Sequence, residues 1–449
     1  MERTRCLFGT DGVRDVANTG NMTPEMALRL GRSFVLFLSQ RGAVRPRIVV
    51  GRDTRLSGPM LESAIIAGMS STGAEVISLG ILPTPAVSRA VKDFCAQGGV
   101  IISASHNPAE YNGIKFVSHK GEKLRDEDEL CIEQMLEDDL VEDWRPGGAY
   151  IGSIYHEKSY DQSYGDVLLN ILGEDRLKGL TVVFDCANGA ATSTVQYMAE
   201  GLEAKSIIIA DTPNGLNINE KCGVTHLSTL SEKVKATGAD FGIALDGDAD
   251  RVLLVDRKGR ELNGDIILWV LARWLKRREL LGSGVVATVM SNVALRNRLA
   301  EEDIDLFSCA VGDRYVLEMM RGTDCRLGGE QSGHVIIDAY SHTGDGLCTG
   351  LAFLRAVREL DLSLDSLVEA FGALPQKLVN ISVANRDKVL KNEELKAKID
   401  AENERLGTTG RVFLRGSGTE PLIRLLVECD DKDKLEELVA RYQDLILSV

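Results

Sequence analysis

The sequence has no apolar stretch long enough to cross a membrane. Its longest uninterrupted run, Ile266 to Ala272, is seven residues, against about 20 for a bilayer-spanning helix. An apolar signal-peptide core is also missing before Gly9-Thr10-Asp11, so a cytoplasmic chain is expected. Basic residues are outnumbered, 52 Lys and Arg against 67 Asp and Glu, for a net charge of −15. Without the positive footprint that a phosphate backbone demands, a general nucleic-acid binder is excluded. Small phosphorylated ligands are not, because they respond to local charge. The nine cysteines are odd in number and form no Cys-x-x-Cys pair. Neither a zinc cluster nor a disulfide framework is expected, and reduced, mostly buried thiols are predicted. No Gly-Lys-Ser/Thr ending marks a P-loop. Gly282-Ser283-Gly284-Val285-Val286-Ala287 spells a dinucleotide fingerprint by letters but precedes a strand instead of joining strand to helix.

What is present is a folded chain of several domains: 449 residues, 44 % hydrophobic and 27 % charged. Thr23-Pro24 reads as N-cap and first position of a helix that carries Met26, Leu30, Phe34 and Leu38 on one face. A strand–turn–helix–strand unit then occurs three times, opening at Arg47–Val50, Thr181–Phe184 and Val285–Val289. Such alternation predicts crossover connections and sheets that are mixed but largely parallel, in three sequential α/β domains. The final stretch differs, with a strand from Leu422 to Val427 and a helix presenting Leu435, Leu438, Tyr442 and Leu445. A smaller α+β domain is expected there. The boundaries placed on this pattern are 1–155, 156–256, 257–371 and 372–449.

The 44 glycines cluster in polar loops rather than linkers, which suits backbone that must approach a ligand closely. Ser103-Ala104-Ser105-His106-Asn107-Pro108 follows an apolar strand and precedes Tyr111-Asn112-Gly113-Ile114-Lys115. Ser105 there reads as a nucleophile or phosphorylation site, or else as part of an ordinary turn. Asp246-Gly247-Asp248-Ala249-Asp250-Arg251 lies between two apolar strands. Three carboxylates so close repel unless a cation compensates, and hard oxygen ligands favour Mg²⁺ or Ca²⁺. A calcium-hand loop is excluded by spacing, since its sixth and twelfth positions are Arg251 and Arg257. Gly328-Gly329-Glu330-Gln331-Ser332-Gly333-His334 offers donors and acceptors suited to sugar hydroxyls. Arg415-Gly416-Ser417-Gly418-Thr419-Glu420-Pro421 with Arg424 has the makings of a phosphate cradle. Either of the last two, taken singly, reads equally as a surface loop. Of the six histidines, His106, His226 and His334 sit in glycine-bearing polar loops, and the other three are expected at the surface.

Taken together and in order, these four loops resemble the phosphohexomutase superfamily over essentially the whole chain. Within it, Phe8-Gly9-Thr10-Asp11-Gly12-Val13-Arg14, Val311-Gly312-Asp313-Arg314-Tyr315-Val316 and Gln331 resemble the amino-sugar branch, while Asp15, Val224 and Leu227 depart from that branch's pattern. The resemblance implies interconversion of glucosamine 6-phosphate and glucosamine 1-phosphate through a 1,6-bisphosphate. It makes Ser105 a phosphoserine, and its phosphate, with Asp246, Asp248 and Asp250, a Mg²⁺ site. Arg14, His106, Lys115 and His334 would assist transfer. Arg251, Glu330, Gln331, Ser332, Arg415, Ser417, Gly418, Thr419 and Arg424 would bind substrate. Phosphosugars are the implied partners, without nucleic acid or membrane, and a homodimer is allowed. The competing readings are a phosphoglucomutase or phosphomannomutase, a metal-dependent phosphatase, and a non-catalytic sugar-phosphate sensor.

Overall fold

The computed structural model describes residues 6–9, 11–137, 144–174, 176–416 and 422–449. They fall into two compact units, Met1–Val289 with Phe307–Asp365, and Met290–Leu306 with Ser366–Val449.

The first unit begins as the sequence predicts. Thr23 caps the helix Pro24–Gln40, its Oγ1 accepting from the Met26 N–H at 3.3 Å. Leu30 and Phe34 are fully buried on its inner face. The first sheet contains β1 (Val13–Val16), β2 (Arg47–Arg52), β3 (Glu75–Ile81), β4 (Gly98–Ile102), β5 (Tyr111–Ser118) and β6 (Ile154–His156), in the order β1-β5-β4-β2-β3-β6. The β2 strand runs parallel to β3 and β4, and β3 parallel to β6, whereas β5 is antiparallel to both β1 and β4. Ile48, Val49 and Val50 are each fully buried, as expected of a central strand covered by helices on both faces.

A second sheet joins β7 (Thr181–Asp185), β8 (Lys205–Ile209), β9 (Phe241–Leu245), β10 (Val252–Asp256) and β11 (Glu261–Leu262) in the order β11-β10-β9-β7-β8. The third, ordered β13-β12-β14-β15, contains β12 (Val285–Thr288), β13 (Leu306–Cys309), β14 (Leu327–Gly329) and β15 (Val335–Ile337). All three sheets mix parallel and antiparallel pairs.

The second unit is built on the antiparallel sheet β16-β18-β17, with β16 at Gln376–Ser382, β17 at Gly410–Gly416 and β18 at Leu422–Cys429. Ile423, Leu425 and Val427 form its core with Leu435, Leu438 and Tyr442 of the closing helix Lys432–Leu447. The helix Val293–Glu301 also belongs to this unit. The Val293 N–H donates to Glu428 Oε2 at 2.9 Å, and Asn292 Nδ2 to the Leu374 carbonyl at 3.0 Å. The sheets and their helices match the fold class expected from the sequence.

All nine cysteines are free thiols; six are buried, while Cys6 and Cys95 are exposed. Among the described residues no helix is long and apolar enough to cross a membrane.

Candidate active site

Ser105 leaves β4 in a left-handed conformation, φ 51°, with only 2 % of its surface exposed. A non-glycine residue stays there only where its surroundings over-determine it, and here they do. Its N–H donates to Ser103 Oγ at 2.9 Å, and Ser103 donates in turn to Asp53 Oδ2 at 2.6 Å. Arg55, wholly buried, pairs with the same carboxylate at 2.9 Å. Its guanidinium then donates to the carbonyls of Ser105 (3.0 Å), Asn107 (2.8 Å), Tyr111 (2.9 Å) and Pro108. Asn219 adds a donor to the Ser105 carbonyl at 2.9 Å. The loop's backbone is therefore fixed, and the hydroxyl remains to donate to Asp246 Oδ2 at 2.6 Å, with His106 Nδ1 3.2 Å away. Burial first, then Arg251 and Arg14, lower the His106 pKa to about 4, so the imidazole is neutral at pH 7.

The aspartate loop is the turn between β9 and β10, which pair with Leu245 opposite Val252. Ala249, at φ 58°, bends it. Gly247 permits the approach of the serine loop, since a Cβ there would lie 2.7 Å from the Ser105 carbonyl oxygen. Asp246, Asp248 and Asp250 are buried, and each offers an oxygen within 4.8 Å of the others. Burial and mutual repulsion raise the pKa of Asp246 and Asp250. Burial also works against Asp248, but Lys115 and Thr84 overcome it and hold that carboxyl well below the usual range. Asp248 Oδ1 and Asp250 Oδ1 are buried without a hydrogen-bond partner. Crowded carboxylates with unsatisfied inward oxygens fit a hard divalent cation, which would satisfy the oxygens and cancel the repulsion.

Lys115, on β5 and 2 % exposed, lies 3.0 Å from Asp248 Oδ2 and 3.0 Å from Asp11 Oδ2. Burial alone would neutralise it, but the two carboxylates push its pKa up, so it stays an ammonium. Asp11 also pairs with Arg14 and Lys123, and Lys123 with Asp313. The sugar-type loop is the tight turn between β14 and β15, closed by the Glu330 N–H on the His334 carbonyl at 2.9 Å. It reaches the aspartate loop through a bridge between Arg251 and His334. Glu330 accepts from the Gly312 N–H at 3.0 Å and from Ser332 Oγ at 3.1 Å. His334 is buried, neither ring nitrogen has a hydrogen-bond partner, and Nε2 lies 3.8 Å from Asp313. Gln331 donates to Asp265 Oδ2 at 3.1 Å, which engages its amide with the first turn of the helix Gly264–Arg277.

In the second unit, Arg415 and Arg424 stand directly opposite each other on β17 and β18. Like charges in cross-strand register are unfavourable unless an anion compensates. The Nε of Arg424 is buried with no partner. Ser417, Gly418 and Thr419 lie outside the described residues, as do Glu420, Pro421 and Thr10.

Sequence reasoning did not single out Asp53, Arg55, Ser103, Thr84 or Asn219 as functional. A legible signal was the density of polar residues just after β2, Arg52-Asp53-Thr54-Arg55. In a surface turn such a run would be unremarkable, and only burial makes it a brace. The histidines also divide: His106 and His334 belong to the site, and His226 is solvent-exposed.

A buried serine on an aspartate trio, with a fixed ammonium and a polar turn beside them, is an arrangement for phosphoryl transfer. Four family models cover the chain in order. They are the phosphoglucomutase/phosphomannomutase alpha/beta/alpha domains I (5–141), II (162–259) and III (263–373) and the C-terminal domain (378–445). The chain belongs to the phosphohexomutase superfamily, isomerases that move a phosphoryl group within a sugar phosphate. It is 46 % identical to the phosphoglucosamine mutase of Syntrophomonas wolfei, over 98 % of each chain. To that of Moorella thermoacetica it is 45 % identical, over 97 % of this chain and 98 % of the other. A phosphoglucomutase/phosphomannomutase family protein from Burkholderia thailandensis shares the fold, with a TM-score of 0.82 and 23 % identity over 98 % of this chain and 97 % of that one.

Proposed function

We propose that the chain interconverts glucosamine 6-phosphate and glucosamine 1-phosphate in the cytoplasm, supplying UDP-N-acetylglucosamine synthesis. The observation that carries this reading is the buried Ser105 hydroxyl, 2.6 Å from Asp246 in a loop whose every backbone constraint is independent of that hydroxyl. Relatives of the same length, 43–46 % identical and named phosphoglucosamine mutase, support the amino sugar. In this reading residues 1–155 carry the phosphoserine loop, 156–256 the metal loop, 257–371 the sugar loop and 372–449 the phosphate loop.

Asp246, Asp248 and Asp250, with the phosphate on Ser105, would hold Mg²⁺, which when bound offsets charge on the transferring group. Lys115, locked as an ammonium, supplies fixed positive charge at the same point, and Arg14 adds to it. The phosphoryl group passes from Ser105 Oγ to the sugar O1 as that hydroxyl gives up its proton. Neutral His106 is placed to take a proton near Ser105, and His334 serves the sugar side. Glu330, Ser332 and Arg251 hold the ring, with Gln331 supporting their turn through Asp265. Arg415, Ser417, Gly418, Thr419 and Arg424 hold the phosphate that is not being transferred. The 1,6-bisphosphate then reorients, and Ser105 recovers a phosphoryl group from O6, leaving glucosamine 1-phosphate.

The test is a panel of glucosamine, glucose and mannose 6-phosphates assayed with Mg²⁺ and again with excess chelator. Glucosamine 6-phosphate should have the highest kcat/KM, and chelation should abolish turnover. A higher value for glucose or mannose would reassign the sugar, and net release of inorganic phosphate would make the protein a phosphatase. Ser105→Ala should lose activity by about 10³-fold or more, a barrier change of roughly 4 kcal/mol. Circular dichroism should be unchanged, and intact mass should show one phosphate on the wild type and none on the variant.

A further inference from the structure

A cavity of 310 Å³ in the first unit is lined by none of the four loops described above. Its floor is apolar and buried, formed by Leu168 and Ile171 with Pro85 and the ring of Tyr164. Around it stand Arg89, Lys92, Lys120 and Arg355, and Asp345 is the one carboxylate that lines it; outside the lining, Arg89 pairs with Asp93 at 3.3 Å and Arg355 with Glu359 at 2.7 Å. The Asp345 carboxylate is already engaged. Its Oδ2 accepts from the Tyr164 hydroxyl at 2.6 Å and its Oδ1 from the Cys348 N–H at 2.9 Å. Lys92 and Lys120 are exposed and, among the described residues, pair with no carboxylate. An apolar floor beside these two lysines selects a small anion on an apolar body. The volume lies at the lower end of ligand cavities, about 300–1,000 Å³.

Two walls of this cavity are tied directly to the aspartate loop. One is the helix Thr84–Asp93, which contributes Pro85, Ser88, Arg89 and Lys92. Its first residue, Thr84, donates through its N–H to the Asp248 carbonyl at 2.9 Å and through Oγ1 to Asp248 Oδ2 at 2.8 Å. The other is the segment 339–345, which continues into Gly346, whose N–H donates to the Ala249 carbonyl at 2.9 Å. Gly344 within it lies so close to the site that a Cβ would sit 2.3 Å from His334 Nε2 and 2.7 Å from the Asp250 carbonyl oxygen. An occupant that shifts either wall must displace the aspartate loop, because both are hydrogen-bonded to it.

We propose that this cavity is an effector site for a small phosphorylated molecule with an apolar body, and that its occupancy changes the cation affinity of the aspartate loop. The phosphate is taken by the ammonium groups of Lys92 and Lys120, and the apolar part rests on Tyr164, Leu168 and Ile171. Coupling between two binding sites is reciprocal, so the cation changes effector affinity by the same factor. Phenyl phosphate is the probe: a dianion on an aromatic ring, with no sugar hydroxyls for the catalytic turn. Calorimetric titration of the full chain should show one site, insensitive to glucosamine 6-phosphate, and a Kd that changes at least about twofold when Mg²⁺ is saturating. The Lys92→Glu/Lys120→Glu variant should bind the probe at least about tenfold more weakly while its turnover stays at the wild-type level. Absence of binding, equal binding by both proteins, or displacement by glucosamine 6-phosphate would overturn the site. Binding that is lost in the variant but indifferent to Mg²⁺ in the wild type would overturn the effector role. The binding arm does not depend on the metal reading, so failure of one is distinguishable from failure of the other.

Discussion

A buried carboxylate–guanidinium pair from each unit, Asp53 with Arg55 and Glu428 with Arg411, is put to different use. Asp53 and Arg55 are wholly buried and 2.9 Å apart, while Glu428 is wholly buried and 3.1 Å from Arg411, which keeps 15 % exposure. Arg55 gives its remaining donors to four carbonyls in the short stretch from Ser105 to Tyr111. Arg411 donates to the Ser291 carbonyl at 2.7 Å, and Glu428 accepts from the Val293 N–H. The first pair thus shapes the one loop that carries Ser105. The second joins segments 120 and 135 residues apart in the chain. A buried ion pair is a poor source of net stability, since desolvation offsets attraction. What both pairs gain is a fixed backbone, and the difference lies in what that backbone carries.

The largest effect should follow from Arg55→Met. It leaves Asp53 buried without its cation and takes one donor from each of four carbonyls, a cost of about 3–5 kcal/mol readable in the denaturant midpoint. Activity should fall further than stability explains, because Ser105 is released from its left-handed conformation. Adding Asp53→Asn should restore part of the stability and none of the activity. Recovery of both would mean that the pair only stabilises.

Arg411→Met should cost slightly less, about 3 kcal/mol, the low end of the buried-pair range, because Arg411 is partly exposed. Well below the unfolding midpoint, kcat/KM should match the wild type. A loss as deep as that of Arg55→Met would erase the contrast between the units.

Arg424→Ala tests the part of the second unit assigned to ligand. Losing a charge-assisted hydrogen bond of roughly 1.5–3 kcal/mol should lower kcat/KM by about 10- to 150-fold. Unfolding should be unchanged, and the Ser105 phosphate should persist by intact mass. Unaltered kinetics for every phosphosugar would leave the arginine pair structural.

The smallest effect concerns pH. Burial raises the Glu428 pKa despite the opposing pull of Arg411 and the Val293 N–H. The folded state therefore binds this proton more tightly than the unfolded chain does. The group's contribution to stability is present at low pH and is lost as pH rises from the ordinary glutamate value through the raised one. Stability measured across that window should slope downward with pH in the wild type, and Glu428→Gln should flatten the slope. An upward slope from this residue would reverse the assignment.

Much of this molecule was legible from local pattern. The Thr23-Pro24 helix start, the apolar strands at Arg47, Thr181 and Val285, and the Leu435-Leu438-Tyr442 face depend on the identities of near neighbours. Composition and spacing express those directly, through capping, alternation and helical period. The aspartate trio was legible for the same reason: three like charges within five residues are a local conflict. Only the tertiary structure decided which polar residues serve that conflict. Thr84 and Lys115 reach it from other elements, Arg55 and Asn219 hold the serine loop beside it, and nothing near them in the chain marks them as buried. A charge becomes functional here by losing water, and desolvation is set by packing among distant segments. The left-handed backbone of Ser105 likewise depends on contacts up to 114 residues away. The sequence by itself therefore determined the elements and the chemistry carried on their loops, because both are local. The brace, the charge states and the cavity beside the aspartate loop were decided by the fold, because each depends on what excludes the solvent.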